Sequence, residues 1–130
     1  MPYVRSIILD LPYAAAVTRT REALADQGFG VLTEIDVQAT LREKLGQDME
    51  PYVILGACNP ELAHRALEID REIGALLPCN VVVRAQEGGS SVLILDPQLI
   101  ASLSEQDGLQ PVADEATRRM DAVLAALGQR

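Results

Sequence analysis

The chain's two cysteines are each followed by an asparagine, as Cys58-Asn59 and Cys79-Asn80, and its single histidine, His64, lies six positions after the first cysteine. A thiol can act as a nucleophile, a redox centre or a soft-metal ligand, and an asparagine amide both donates and accepts hydrogen bonds. Together Cys58, Asn59, Cys79 and Asn80 could hold a small polar ligand or a soft metal ion, with the two cysteines as the candidate metal ligands. Glu34 and Asp36, two positions apart in "TEID", add carboxylates suited to proton transfer or hard-cation binding. A thiol enzyme would use Cys58 as the reactive group, Cys79 as its resolving partner, and Glu34 or Asp36 as the proton acceptor.

Each candidate also has a plainer role. Cys58 and Cys79 could be small buried hydrophobes, and Asn59 stands where a helix would be capped. Asn80 could order a turn. The separation of the cysteines is too long for a CxxC redox loop and matches no compact zinc knuckle. His64 falls beside Glu61, Arg65 and Glu68 on the outer side of its segment and reads as a solvated residue. No catalytic Ser-His-Asp order, GxGxxG or Walker pattern occurs, so the glycines of "EGGSS" read as hairpin residues.

The elements that position these groups follow from periodicity. Residues 3–9 are short and β-branched enough for a strand. "YAAAVTRTREALADQG" places Tyr13, Val17, Thr20 and Leu24 on one helical side, with Asp10 as a candidate cap and Gly28 as the stop. In "FGVLTEIDV", strict alternation puts Phe29, Val31, Thr33 and Ile35 on one strand face and Leu32, Glu34 and Asp36 on the other. "QATLREKLG" makes about two helical turns with Leu41 and Leu45 aligned and Glu43 and Lys44 toward solvent.

"PYVILGAC" is an apolar run that reads as a buried strand ending at Cys58. Asn59, Pro60 and Glu61 then start a helix reaching about Asp70, with Leu62, Ala63, Ala66, Leu67 and Ile69 inward. After a turn at Gly74, "LPCNVVVRA" and "GGSSVLILD" form two strands joined tightly enough for an antiparallel hairpin. A small helical turn follows Pro97, and residues 108–128 form a terminal helix lying across the sheet. The expected fold is α+β in two layers: a mixed or mainly antiparallel sheet of about five strands, with helices packed on one face.

At 130 residues the chain fits a single domain spanning 1–130, large enough to fold without a disulfide or metal. A formal charge of −8, with Arg mixed among Asp and Glu so that no basic block forms, disfavours nucleic acid and anionic membranes as partners. No stretch approaches the roughly 18 apolar residues of a membrane span, and no basic-apolar leader opens the chain, so a cytoplasmic location with reduced thiols is expected. One Phe and no Trp make a base- or sugar-stacking platform untenable.

Three segments in order, "GFGVLTEIDV", "LGACNPELAHRAL" and "GALLPCNVVV", resemble the family called domain of unknown function 302. The matching positions are Gly30, Glu34, Asp36, Lys44, Gly56, Cys58, Asn59, Pro60, Ala63, Leu67, Gly74, Leu77, Pro78, Cys79 and Asn80, with His64 the weaker match. The resemblance covers nearly the whole chain. It implies a compact α/β domain, often a homodimer, with no assigned reaction or cofactor, and it raises the two Cys-Asn pairs as one shared region. Three expectations remain open: a ligand or soft-metal pocket at the two cysteines, a thiol-dependent redox enzyme, and an assembly protein with packed, inert cysteines.

Overall fold

A computed structural model describes residues 3–128. The order is β1 (Val4–Leu9), α1 (Tyr13–Asp26), β2 (Gly30–Asp36), α2 (Val37–Leu45), β3 (Tyr52–Cys58), α3 (Pro60–Ile69), β4 (Cys79–Gln86), β5 (Gly89–Leu95), α4 (Gln98–Leu103) and α5 (Leu109–Leu127). A 3-10 stretch, Arg71–Leu76, links α3 to β4 where the sequence led only to a turn at Gly74. The strands form one sheet in the order β1-β5-β4-β3-β2, and every neighbouring pair is antiparallel. The α+β expectation holds, in its wholly antiparallel form.

The main core lies between one sheet face and the helices α1 and α5. Leu55, Val81, Val83, Val92 and Ile94 point into it, against Leu24 of α1 and Met120 and Val123 of α5, and all are fully buried. A second cluster joins Leu62 and Ala66 of α3 to Ile73, Ile100 and the N-terminal half of α5. Gly28 ends α1 at φ 83°, a conformation glycine adopts without steric cost, and the Phe29 N–H returns to the Leu24 carbonyl at 3.0 Å.

Four local expectations need correction. Alternation along β2 breaks between Val31 and Thr33, where one extra residue enters the pairing with β3. As a result Val31, Glu34 and Asp36 lie on the helix-covered side, opposite Ala57, Leu55 and Val53, while Thr33 and Ile35 lie on the other side. In α2 no residue is buried, and Leu45 is 66% exposed, because the helix leans on β2 and β3 outside the main helical layer. Ile69, expected inward, is exposed at the end of α3, whose buried residues are Leu62 and Ala66. Finally, the N-cap position of α1 is held by Pro12, which makes no side-chain cap bond, rather than by Asp10.

Candidate functional site

β3 and the start of α3 set the position of Cys58 and Asn59. The Asn59 side-chain oxygen accepts a hydrogen bond from the Leu62 N–H at 3.2 Å, Pro60 occupies the first helical turn, and Glu61 faces the positive helix end. The "NPE" signature therefore behaves as its sequence implied. Asn59 is buried, and its oxygen is occupied as a cap rather than offered to a ligand.

Register places Ala57, the residue before Cys58, opposite Cys79 across β3 and β4, and both cysteines are among the residues that line one cavity, with Phe29, Leu62, Ile100 and Val112. That cavity measures about 30 Å³ and its walls are almost wholly apolar. Ligand pockets run from roughly 300 Å³ upward, whereas a single water needs on the order of 15 Å³. The space thus matches a packing defect rather than a small-molecule pocket.

Both cysteines are free. Burial pushes the Cys58 thiol above its ordinary range. Cys79 is pushed up to about 11, first by burial and then by the charge of Cys58. A nucleophilic cysteine requires the opposite shift, which a nearby cation or helix N-terminus normally provides. The start of α3 follows Cys58 closely without producing that shift.

Asn80 is not part of this cavity. Alternation along β4 turns Cys79 into the core and Asn80 outward, opposite Gly56, where it is exposed. The four expected ligand-binding residues are therefore divided: Cys58, Asn59 and Cys79 line one cavity, and Asn80 faces away from it.

Glu34 and Asp36 belong to a separate cleft beside Tyr13 and Val17. Glu34 is ion-paired with Arg21 at 2.6 Å, and Asp36 caps α2 by accepting from the Ala39 N–H at 2.9 Å. Burial raises the Tyr13 pKa, and the two carboxylates add to the rise. Glu34 lies opposite Leu55, three residues from Cys58, or ~10 Å along the strand. Neither carboxylate is placed to receive a proton directly from the thiol. His64 is 77% exposed and lies 3.5 Å from Glu68 on its own helix, apart from the cysteines. Among the described residues no three His, Cys, Asp or Glu side chains form a group able to hold a metal ion.

A second region escaped the sequence reading. On the sheet face turned away from α1 and α5, Ile35, Ile54, Val82 and Leu93 pair in a continuous row across β2, β3, β4 and β5. None of these side chains belongs to either core cluster, and Ile35 is 49% exposed. Ile8, on β1 opposite Ser91, is 69% exposed on the same face. The available signal was the unbroken apolar character of "YVIL", "VVV" and "VLIL". In an antiparallel sheet with one solvated face, such runs should instead alternate with polar residues.

Comparison with known proteins gives a consistent answer. No curated protein matches the chain. The crystal structure of an uncharacterized conserved DUF302 protein from Bacillus stearothermophilus superposes with a TM-score of 0.90 at 29% identity, covering 98% of this chain and 99% of that one. Residues 6–127 match the family described as domain of unknown function DUF302. With the match spanning almost the whole described fold, this chain belongs to the DUF302 family.

Proposed function

We propose that the chain is a non-catalytic assembly domain, cytoplasmic and homodimeric, in which Cys58 and Cys79 are packing residues. The observation carrying this reading is the cavity the thiols share, at about 30 Å³ too small and too apolar for a polar ligand. The raised pKa of each thiol supports it further, because the protonated form is the less reactive one. No helix among the described residues is long and apolar enough to cross a membrane, in keeping with the proposed location.

The test is paired substitution. Cys58→Ala and Cys79→Ala should lower stability without altering ligand uptake or any thiol-dependent turnover, as expected of small buried hydrophobes. Rapid modification of Cys79 by a thiol reagent in the folded protein, or a thiol pKa below about 8.5, would overturn it.

One observation favours a second reading: both cysteines line one cavity, the charge of Cys58 is felt at Cys79, and Cys58 is only partly buried. A soft monovalent copper ion could be held there by two sulfurs, with both thiols losing their protons on binding. Native mass spectrometry of the reduced protein with copper(I) tests this. One tightly held ion per chain, lost in the Cys58→Ser/Cys79→Ser double variant, supports the metal reading; no uptake removes it.

A further inference from the structure

We infer that the uncovered sheet face is the surface on which a second copy of this chain docks, sheet against sheet. The inference rests on the assembly reading and assigns it a surface and a geometry. Ile35, Ile54, Val82 and Leu93 form a row from the β2 edge to β5; on β1 that row meets Ser6, and Ile8, opposite Ser91, lies two positions along on the same face. Such a row, part-exposed across four of the five strands, is the kind of apolar patch that marks an interaction site.

Size favours a second sheet over a smaller partner. Five strands about 4.8 Å apart, each six to eight residues long, give a projected face on the order of 500 Å², and more once side-chain relief is counted. A stable interface covers roughly 800 Å² per partner, so the occupant must span most of the face. A strand added at the β2 edge would leave Ile54, Val82 and Leu93 uncovered. An identical face turned through a two-fold axis covers them all, with the two sheets about 10 Å apart.

Charge selects the same occupant. The chain carries −8, so two copies repel unless they meet where that charge is absent. The strand positions of this face carry one charged side chain, Arg84, which Glu50 of the same copy pairs with at 2.8 Å. Two such faces can therefore meet without bringing unpaired carboxylates together. Nucleic acid, by contrast, would find a single cation already neutralised.

Analytical ultracentrifugation of the full chain at about 100 µM should show a dimer. Leu93→Glu should raise its dissociation constant at least ~100-fold, with far-UV circular dichroism unchanged, because it places a carboxylate at the centre of the face. Leu103→Glu, on α4 and away from this face, should leave the constant unaltered. A wild-type chain that stays monomeric would remove the assembly reading and this inference with it. A dimer that survives both Leu93→Glu and Ile54→Glu would overturn the surface assignment alone. Should Leu93→Glu fail to fold, methyl NMR of the wild type over a dilution series decides. Shifts concentrated at Ile8, Ile35 and Ile54 support docking here; shifts confined to other methyl groups overturn it.

Discussion

Leu55 and Ile54 are neighbours in β3, yet one is fully buried beneath the helical layer and the other lies half-buried on the bare side of the sheet. The same contrast separates Val83 from Val82 on β4 and Ile94 from Leu93 on β5. Residue type does not distinguish the two faces; the covering does. Apolar character on both sides of an antiparallel sheet implies that each side meets something apolar, and intramolecular helices supply only one of the two covers.

The sharpest way to break this comparison is to truncate both neighbours. Leu55→Ala should cost about 2–5 kcal/mol of unfolding free energy, because a fully enclosed side chain leaves a cavity behind. Ile54→Ala, measured by denaturant at a concentration low enough for the monomer, should cost less than about 1 kcal/mol. Equal losses would mean that the second face is covered within one chain.

The uncovered face is not uniformly tolerant. Gly56 lies on it, and an added Cβ there would run into the Thr33 hydroxyl and come within 2.9 Å of the Pro78 ring. Gly56→Ala should therefore destabilise by about 1–3 kcal/mol through crowding, with urea unfolding as the readout. An unaffected midpoint would mean that β2 shifts away at its irregular register between Val31 and Thr33. On the covered side, Asn59→Ala should cost about 1 kcal/mol, the value of a lost helix cap, visible as a lower thermal midpoint.

A pH-dependent effect concerns the thiol on the covered face. Cys79 has its folded pKa raised from 9.0 to about 11, so an unfolded chain releases this proton at lower pH than the native one. The associated stability is fully present below pH 9, falls as pH rises beyond it, and is lost as pH passes about 11. Stability curves of wild type and Cys79→Ala should therefore converge over that window. Parallel curves would mean that the thiol is less enclosed than its surroundings imply.

Much of the scaffold was legible in the residues. Asn59-Pro60-Glu61 starts α3 because a side-chain oxygen, a fixed φ and a negative charge all suit a helix N-terminus, and these are local effects. The hairpin of β4 and β5 and the stripe of α5 were equally readable, since turn length and helical period depend on neighbours in sequence. The extra residue near Leu32 was not. Periodicity assumes strict alternation, so Val31 was grouped with Thr33 and Ile35, whereas it shares its side of β2 with Glu34 and Asp36. The candidate site was half legible: both cysteines do line one cavity, but neither the size of that cavity nor the outward turn of Asn80 follows from spacing.

The sequence by itself determined the strands, the helices, their ends and the apolar runs, because backbone sterics, capping and side-chain period act within a few residues. Tertiary structure alone decided which apolar face the helices cover and how completely side chains from α3, α4 and α5 fill the space around Cys58 and Cys79. Burial and desolvation depend on groups brought together from distant parts of the chain. The same thiol would be ordinary in an exposed strand; enclosed by the fold, Cys79 keeps its proton to about pH 11.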